Sequence, residues 1–98
     1  MQIDNIIKIY ELRDPRDPEC KPRYVGMTSR TLEIRLKDHI RRVNFKYHKA
    51  VWINSLLKLG IIPTIHLIEE VNNFDKACEV EKYWIREFRF IGDILWNY

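Results

Sequence analysis

The sequence predicts an α/β (α+β) fold: a small, mainly antiparallel three-stranded sheet flanked by helices, in the order β-β-α-α-β-α. Three observations lead there. Two short segments rich in β-branched and aromatic residues lie near the N-terminus. Two stretches with apolar residues every three or four positions follow. A third β-rich segment then precedes a long stretch with one apolar face.

Ile6 to Leu12 (Ile-Ile-Lys-Ile-Tyr-Glu-Leu) has strand composition. Asp14-Pro15-Arg16-Asp17-Pro18 ends it, because proline removes a donor and fixes φ. Arg23 to Met27 is a second short strand ending at Gly26-Met27, and the two form a hairpin with a long connection. Thr28-Ser29-Arg30-Thr31 offers helix caps, although Thr31 with Ile34, or Ser29 with Glu33, makes an imperfect capping box. Leu32, Leu36, Ile40 and Val43 mark the core stripe of an amphipathic helix. Ala50 to Leu59 is a second helix with Ile53, Leu56 and Leu57 inward, stopped by Gly60 with Pro63 beyond. Thr64 to Val71 is a third strand and Asn72-Asn73 a break. From about Phe74 to Ile91 a long helix presents Ala77, Val80, Trp84, Ile85 and Phe88 on one face.

Ninety-eight residues make one domain, 1–98, able to bury a single core. No repeat, linker or low-complexity segment divides it, and the end at Leu95-Trp96-Asn97-Tyr98 without a polar tail is that of an excised domain or a very compact protein. No apolar run approaches the length of a bilayer span, which argues against a membrane partner. Met1 to Tyr10 lacks the basic start and apolar block of a signal peptide. Cys20 and Cys78 fit no metal spacing and suggest no disulfide framework, so a cytoplasmic setting is the default.

The net charge of +3 is modest, but its distribution is not. Residues 21–58 hold ten lysines and arginines against two acids, whereas the rest of the chain is net negative. Arg23, Arg30, Arg35, Lys37, Arg41, Arg42, Lys46 and Lys49 concentrate positive field in one stretch, the footprint of a polyanion partner. A solvated helix face is the bland alternative, and it weighs about equally.

Four features carry chemistry. Glu81 shares a helical face with Ala77, Val80, Trp84 and Phe88, where a carboxylate needs a cation: arginine, lysine or a metal. From position alone, a partly exposed ion pair is the commoner explanation. Arg35, His39 and Arg42 fall at i, i+4 and i+7, as a second stripe. A guanidinium grips phosphate with a planar fork of donors, and an imidazole holds or relays a proton near neutrality. The bland explanation is surface solubility for the arginines and a boundary position for His39. His48 and His66 have no partner pattern and read as structural. Tyr10 and Tyr24 sit on neighbouring strands, where each alone would be packing. A phenol is a poor base unless its pKa is lowered; a metal-bound water, the basic patch and His39 are candidates to do that.

The ordered segments Lys8-Ile9-Tyr10, Tyr24-Val25-Gly26, Leu32-Glu33-Ile34-Arg35-Leu36-Lys37-Asp38-His39, Val80-Glu81-Lys82-Tyr83-Trp84-Ile85 and Asn97 resemble the motifs of the GIY-YIG nuclease domain. The resemblance runs from Ile7 to Asn97. Lys8 stands where the motif name has glycine, and Val25 replaces isoleucine. The chain also ends directly after Asn97, so a segment completing the site or binding DNA would lie elsewhere.

The resemblance implies a DNA endonuclease of homing, restriction or repair type that hydrolyses phosphodiester bonds with a divalent metal. Glu81 would ligate one Mg²⁺ or Mn²⁺, with water and a phosphate oxygen completing the shell. Tyr10 would act as general base or orient the water, with Tyr24 or His39 assisting; which tyrosine is the base stays open. Arg35 would stabilise negative charge at phosphorus, and the metal would stabilise the leaving 3′ oxygen. Gly26 would let the backbone approach the substrate. Arg30, Lys37, Arg41, Arg42, Lys46 and Lys49 would track the backbone of double-stranded DNA, with Asn97 at the site's edge. No base-reading module is visible, so specificity would come from a fused or separate domain or from DNA structure. One active site cuts one strand, so a double-strand break would need a dimer or sequential nicking. The alternative is a non-catalytic nucleic-acid-binding module that keeps the fold, disfavoured because Tyr10, Tyr24, Arg35 and Glu81 are all present. A plain protein-interaction domain gives no reason for Glu81 to sit in an apolar stripe.

Overall fold

In a computed structural model of the chain, residues 6–41, 48–90 and 95 are described, with the side chain of His48 excepted. The elements are β1 (Ile7–Arg13), β2 (Pro22–Thr28), α1 (Leu32–Arg41), α2 (His48–Lys58), β3 (Thr64–Val71) and α3 (Phe74–Phe90). Their order and the antiparallel three-stranded sheet agree with the fold read from the sequence, and element ends shift by one or two residues.

β1 is the central strand of the order β2-β1-β3 and pairs antiparallel with both neighbours. Its side chains alternate between two cores. Ile7 and Ile9 join Val25 and Val71 under Ala77 and Ile85 of α3. Tyr10 and Leu12 turn the other way, against Ile53 of α2, with Leu32 and Leu36 of α1 packed at the margin. The sheet therefore lies between α3 and the α1–α2 pair. Period-two patterning on β1 is the sequence signal for this double burial.

Local chemistry fixes the helix ends. Thr31 caps α1: its Oγ1 accepts the Ile34 N–H at 3.2 Å and its carbonyl accepts the Arg35 N–H at 3.0 Å. Glu33 in the first turn and Arg41 in the last complement the helix dipole. α2 closes in a Schellman motif, with Gly60 at φ 74° and N–H groups of Gly60 and Ile61 bonded to Leu57 and Leu56 carbonyls. Asn73 caps α3 through its Oδ1 on the Lys76 N–H at 3.0 Å.

Two details depart from expectation. The buried residue of α1 is His39, whereas Leu32, Leu36 and Ile40 are only half-buried; Val43 lies outside the described residues. The β1–β3 register also shifts between Ile9 and Tyr10, so β3 carries an extra residue beside Tyr10. Among the described residues no helix is long and apolar enough to cross a membrane.

Candidate active site

The hairpin register creates the site. Tyr10 on β1 stands opposite Gly26 on β2, and Leu12 stands opposite Tyr24. Tyr10 and Tyr24 are thus diagonal neighbours on one face, with ring centroids 6.3 Å apart. The Tyr10 ring lies over Gly26: a Cβ there would come within 2.5 Å of the Tyr10 Oη, 2.7 Å of its Cζ and 2.9 Å of the Tyr24 Cε2. The space left by the missing side chain receives a phenol of the protein itself.

α1 crosses above the two tyrosines and supplies two partners one turn apart. The Tyr10 Oη lies 2.6 Å from the His39 Nε2 and accepts the Arg35 Nε–H at 3.0 Å. His39 also meets the Tyr24 ring edge-on, with centroids 5.4 Å apart. Because a guanidinium can only donate, the hydroxyl hydrogen of Tyr10 is left to point at the imidazole. In the tautomer that carries its ring proton on Nδ1, the His39 Nε2 accepts it.

Burial dominates the ionisation of this group. Tyr10 is fully buried, and its phenol is held well above the ordinary tyrosine range by desolvation and by Tyr24, only partly offset by Arg35. The protein's own groups thus hold the phenol up, with Arg35 pulling against the shift. His39, at 3% exposure, is pushed down to about 3 by burial and by the positive charges of Lys49 and Arg35. At neutral pH both groups are uncharged. Burial works against the Arg35 guanidinium, yet its pKa is raised overall by the two tyrosines and Asp38.

Lys49, at the start of α2, places its Nζ 5.2 Å from the centroid of the Tyr24 ring. Burial and Arg35 lower its pKa. Sequence reading put Lys49 among residues following a DNA backbone; the fold turns it into the tyrosine–histidine cluster. Nothing in the sequence separated it from the other basic residues.

Glu81 lies on α3 one turn from both Ala77 and Ile85, which are buried. It is half-buried, and burial raises its carboxyl pKa against the opposing charge of Lys82. Its charge is felt at the Tyr10 phenol. Among the described residues it has no hydrogen bond or ion pair, and no group of three His, Cys, Asp or Glu side chains could hold a metal. A cation here would have one protein carboxylate, with water and substrate oxygens for the rest, as suits a hard ion such as Mg²⁺.

A family model described as the GIY-YIG catalytic domain matches residues 7–93. The chain belongs to the GIY-YIG family. Members of this family are nucleases that act on DNA. Comparisons with curated proteins and with solved structures find no match.

Within this GIY-YIG domain, Tyr10, Tyr24, Arg35 and His39 are brought together, and Glu81 lies within electrostatic reach of Tyr10. The outer basic residues are less uniform. Arg30 pairs with Asp38 at 3.0 Å and Lys37 with Glu33 at 3.7 Å, so each is partly neutralised at the surface. Arg41 is exposed. Arg42, Lys46 and Asn97 lie outside the described residues. His66 bonds to the Thr64 hydroxyl at 2.9 Å, away from this cluster.

Proposed function

We propose that the domain is a divalent-metal-dependent endonuclease that hydrolyses phosphodiester bonds of double-stranded DNA. The observation that carries this reading is the buried chain from Arg35 through the Tyr10 hydroxyl to His39, with Glu81 nearby. A high phenol pKa makes a free phenolate unavailable near neutrality. Tyr10 therefore works as a relay. Its oxygen takes a proton from the attacking water as its own proton passes to the neutral His39 Nε2, a transfer that burial and the charges of Lys49 and Arg35 oppose and that the negative charge of a bound phosphate offsets. The water oxygen bonds to phosphorus and the bond to the 3′ oxygen breaks, the 3′ oxygen leaving with the bonding electron pair and taking a proton from solvent. Arg35 keeps its charge throughout. Its Nε–H holds the Tyr10 oxygen in place, and its terminal amino groups, unpartnered among the described residues, are available to the phosphate. Lys49 adds positive potential beside Tyr24.

Glu81 would hold Mg²⁺ or Mn²⁺. When bound, such an ion neutralises phosphate charge and favours departure of the 3′ oxygen. Raising the Glu81 pKa by burial increases the electrostatic gain when a cation arrives.

The test is nicking of supercoiled plasmid with Mg²⁺ or Mn²⁺, with and without chelator, beside Glu81→Ala. Metal-dependent nicking lost in the variant, with DNA binding retained, is expected. Salt-sensitive binding without cleavage by the wild type would instead support the non-catalytic binding module.

A further inference from the structure

Next to the catalytic cluster a cleft of about 310 Å³ is bordered by the β2–α1 turn, α1 and the first turn of α3. Ile7 and Met27 give it apolar surface, Arg30 and Arg35 give it guanidinium groups, and Phe74 contributes an aromatic ring. Its size is that of a site for one small ligand unit.

Phe74 is the first residue of α3 and is 64% exposed, so it packs into neither core. Its backbone is fixed, because the adjoining Asn73 caps the helix. An exposed aromatic alone is ordinary. The second observation is Arg35, which lines this cleft while its Nε donates to Tyr10. One guanidinium thus serves the reacting centre and the cleft. Arg30 is steadied at the same cleft by Asp38. Arg35 and Phe74 line the same cleft, so a phosphate held by the open end of Arg35 brings its nucleoside to the cleft that Phe74 borders.

We propose that this cleft is the subsite for the nucleoside flanking the scissile phosphate, with Phe74 as the platform on which its base stacks. The proposal rests on the endonuclease reading above. Stacking tolerates any base, because every base has a π-face, so Phe74 positions the strand without reading sequence. In a duplex the cut strand is partly unstacked at that step, as with other apolar side chains that wedge between bases.

The experiment uses the full chain in chelator, so that binding is read without cleavage. Affinity for a short oligothymidylate is compared with affinity for an abasic oligomer carrying the same number of phosphates. Wild type, Phe74→Ala and Phe74→Trp are measured, each checked by thermal melting. Phe74→Ala should weaken oligothymidylate binding about tenfold and leave the abasic oligomer nearly unaffected. Phe74→Trp should restore the difference. Equal weakening of both oligomers, or of neither, in a folded Phe74→Ala protein overturns the subsite. A wild-type protein that neither nicks plasmid nor binds either oligomer overturns the endonuclease reading itself.

Discussion

Gly26→Ala tests the geometry of the site most stringently for a change of one carbon. The new Cβ would meet the Tyr10 Oη at 2.5 Å, the Tyr10 Cζ at 2.7 Å and the Tyr24 Cε2 at 2.9 Å. Two are ring carbons and the third is the hydroxyl fixed to one of those rings, and Tyr10 is fully buried, so the strain cannot be relieved by a flexible chain end. Ordinary contact requires a displacement of about 1 Å, and overpacking of this kind costs about 1–3 kcal/mol. At about 4–8 °C per kcal/mol for a domain of this size, the melting temperature should fall by roughly 5–20 °C. The same displacement takes the hydroxyl away from His39 at 2.6 Å and Arg35 at 3.0 Å. A misplacement of about 1 Å lowers catalytic rate by about a hundredfold. Plasmid nicking and circular-dichroism melts read both effects. Gly26→Ala combined with Tyr10→Phe should recover part of the stability, because the closest contact is with the hydroxyl. Unchanged melting and unchanged nicking in the single variant would refute the packing of Tyr10 on Gly26.

The remaining prediction concerns protons, read by NMR of the His39 ring and by stability against pH. His39 has a folded pKa of about 3 against an ordinary 6.5, so between those values the unfolded chain binds more protons. Its contribution to stability is therefore present above pH 6.5 and declines as pH falls toward 3, by at most about 1.4 kcal/mol per unit. His39→Gln should flatten that part of the profile. Lys49→Met, which removes one of the charges depressing the imidazole, should raise the ring pKa; an imidazole titrating at its ordinary value in the wild type would contradict the burial argument.

The elements were legible because their chemistry is local. β1 and β3 announce themselves by β-branched residues, and the end of α2 by Gly60, which takes the left-handed conformation that closes a helix. Glu81 was legible because a carboxylate one turn from Ala77 and Ile85 breaks an apolar pattern. Pairing register was not. Which residue of β2 faces Tyr10 depends on a loop of irregular length, and so the fit of the phenol over Gly26 could not be foreseen. His39 was legible as a proton carrier one turn from Arg35, with a boundary position as the bland alternative; its burial against the Tyr10 hydroxyl depends on how α1 crosses the sheet. Lys49 was one cation among ten in its stretch, and only the approach of α2 to Tyr24 distinguishes it. The Lys37–Glu33 pair follows from i, i+4 spacing, whereas Arg30–Asp38 depends on how the turn enters α1.

The central claim is that the Tyr10 hydroxyl is the junction through which the proton of the attacking water passes. Tyr10→Phe keeps the ring over Gly26 and removes that junction. Single-turnover nicking with Mg²⁺, measured beside DNA affinity and thermal stability, is the direct test. A rate lowered about a hundredfold or more, with DNA affinity retained, is the predicted result. Nicking at the wild-type rate by the folded Tyr10→Phe protein would contradict it.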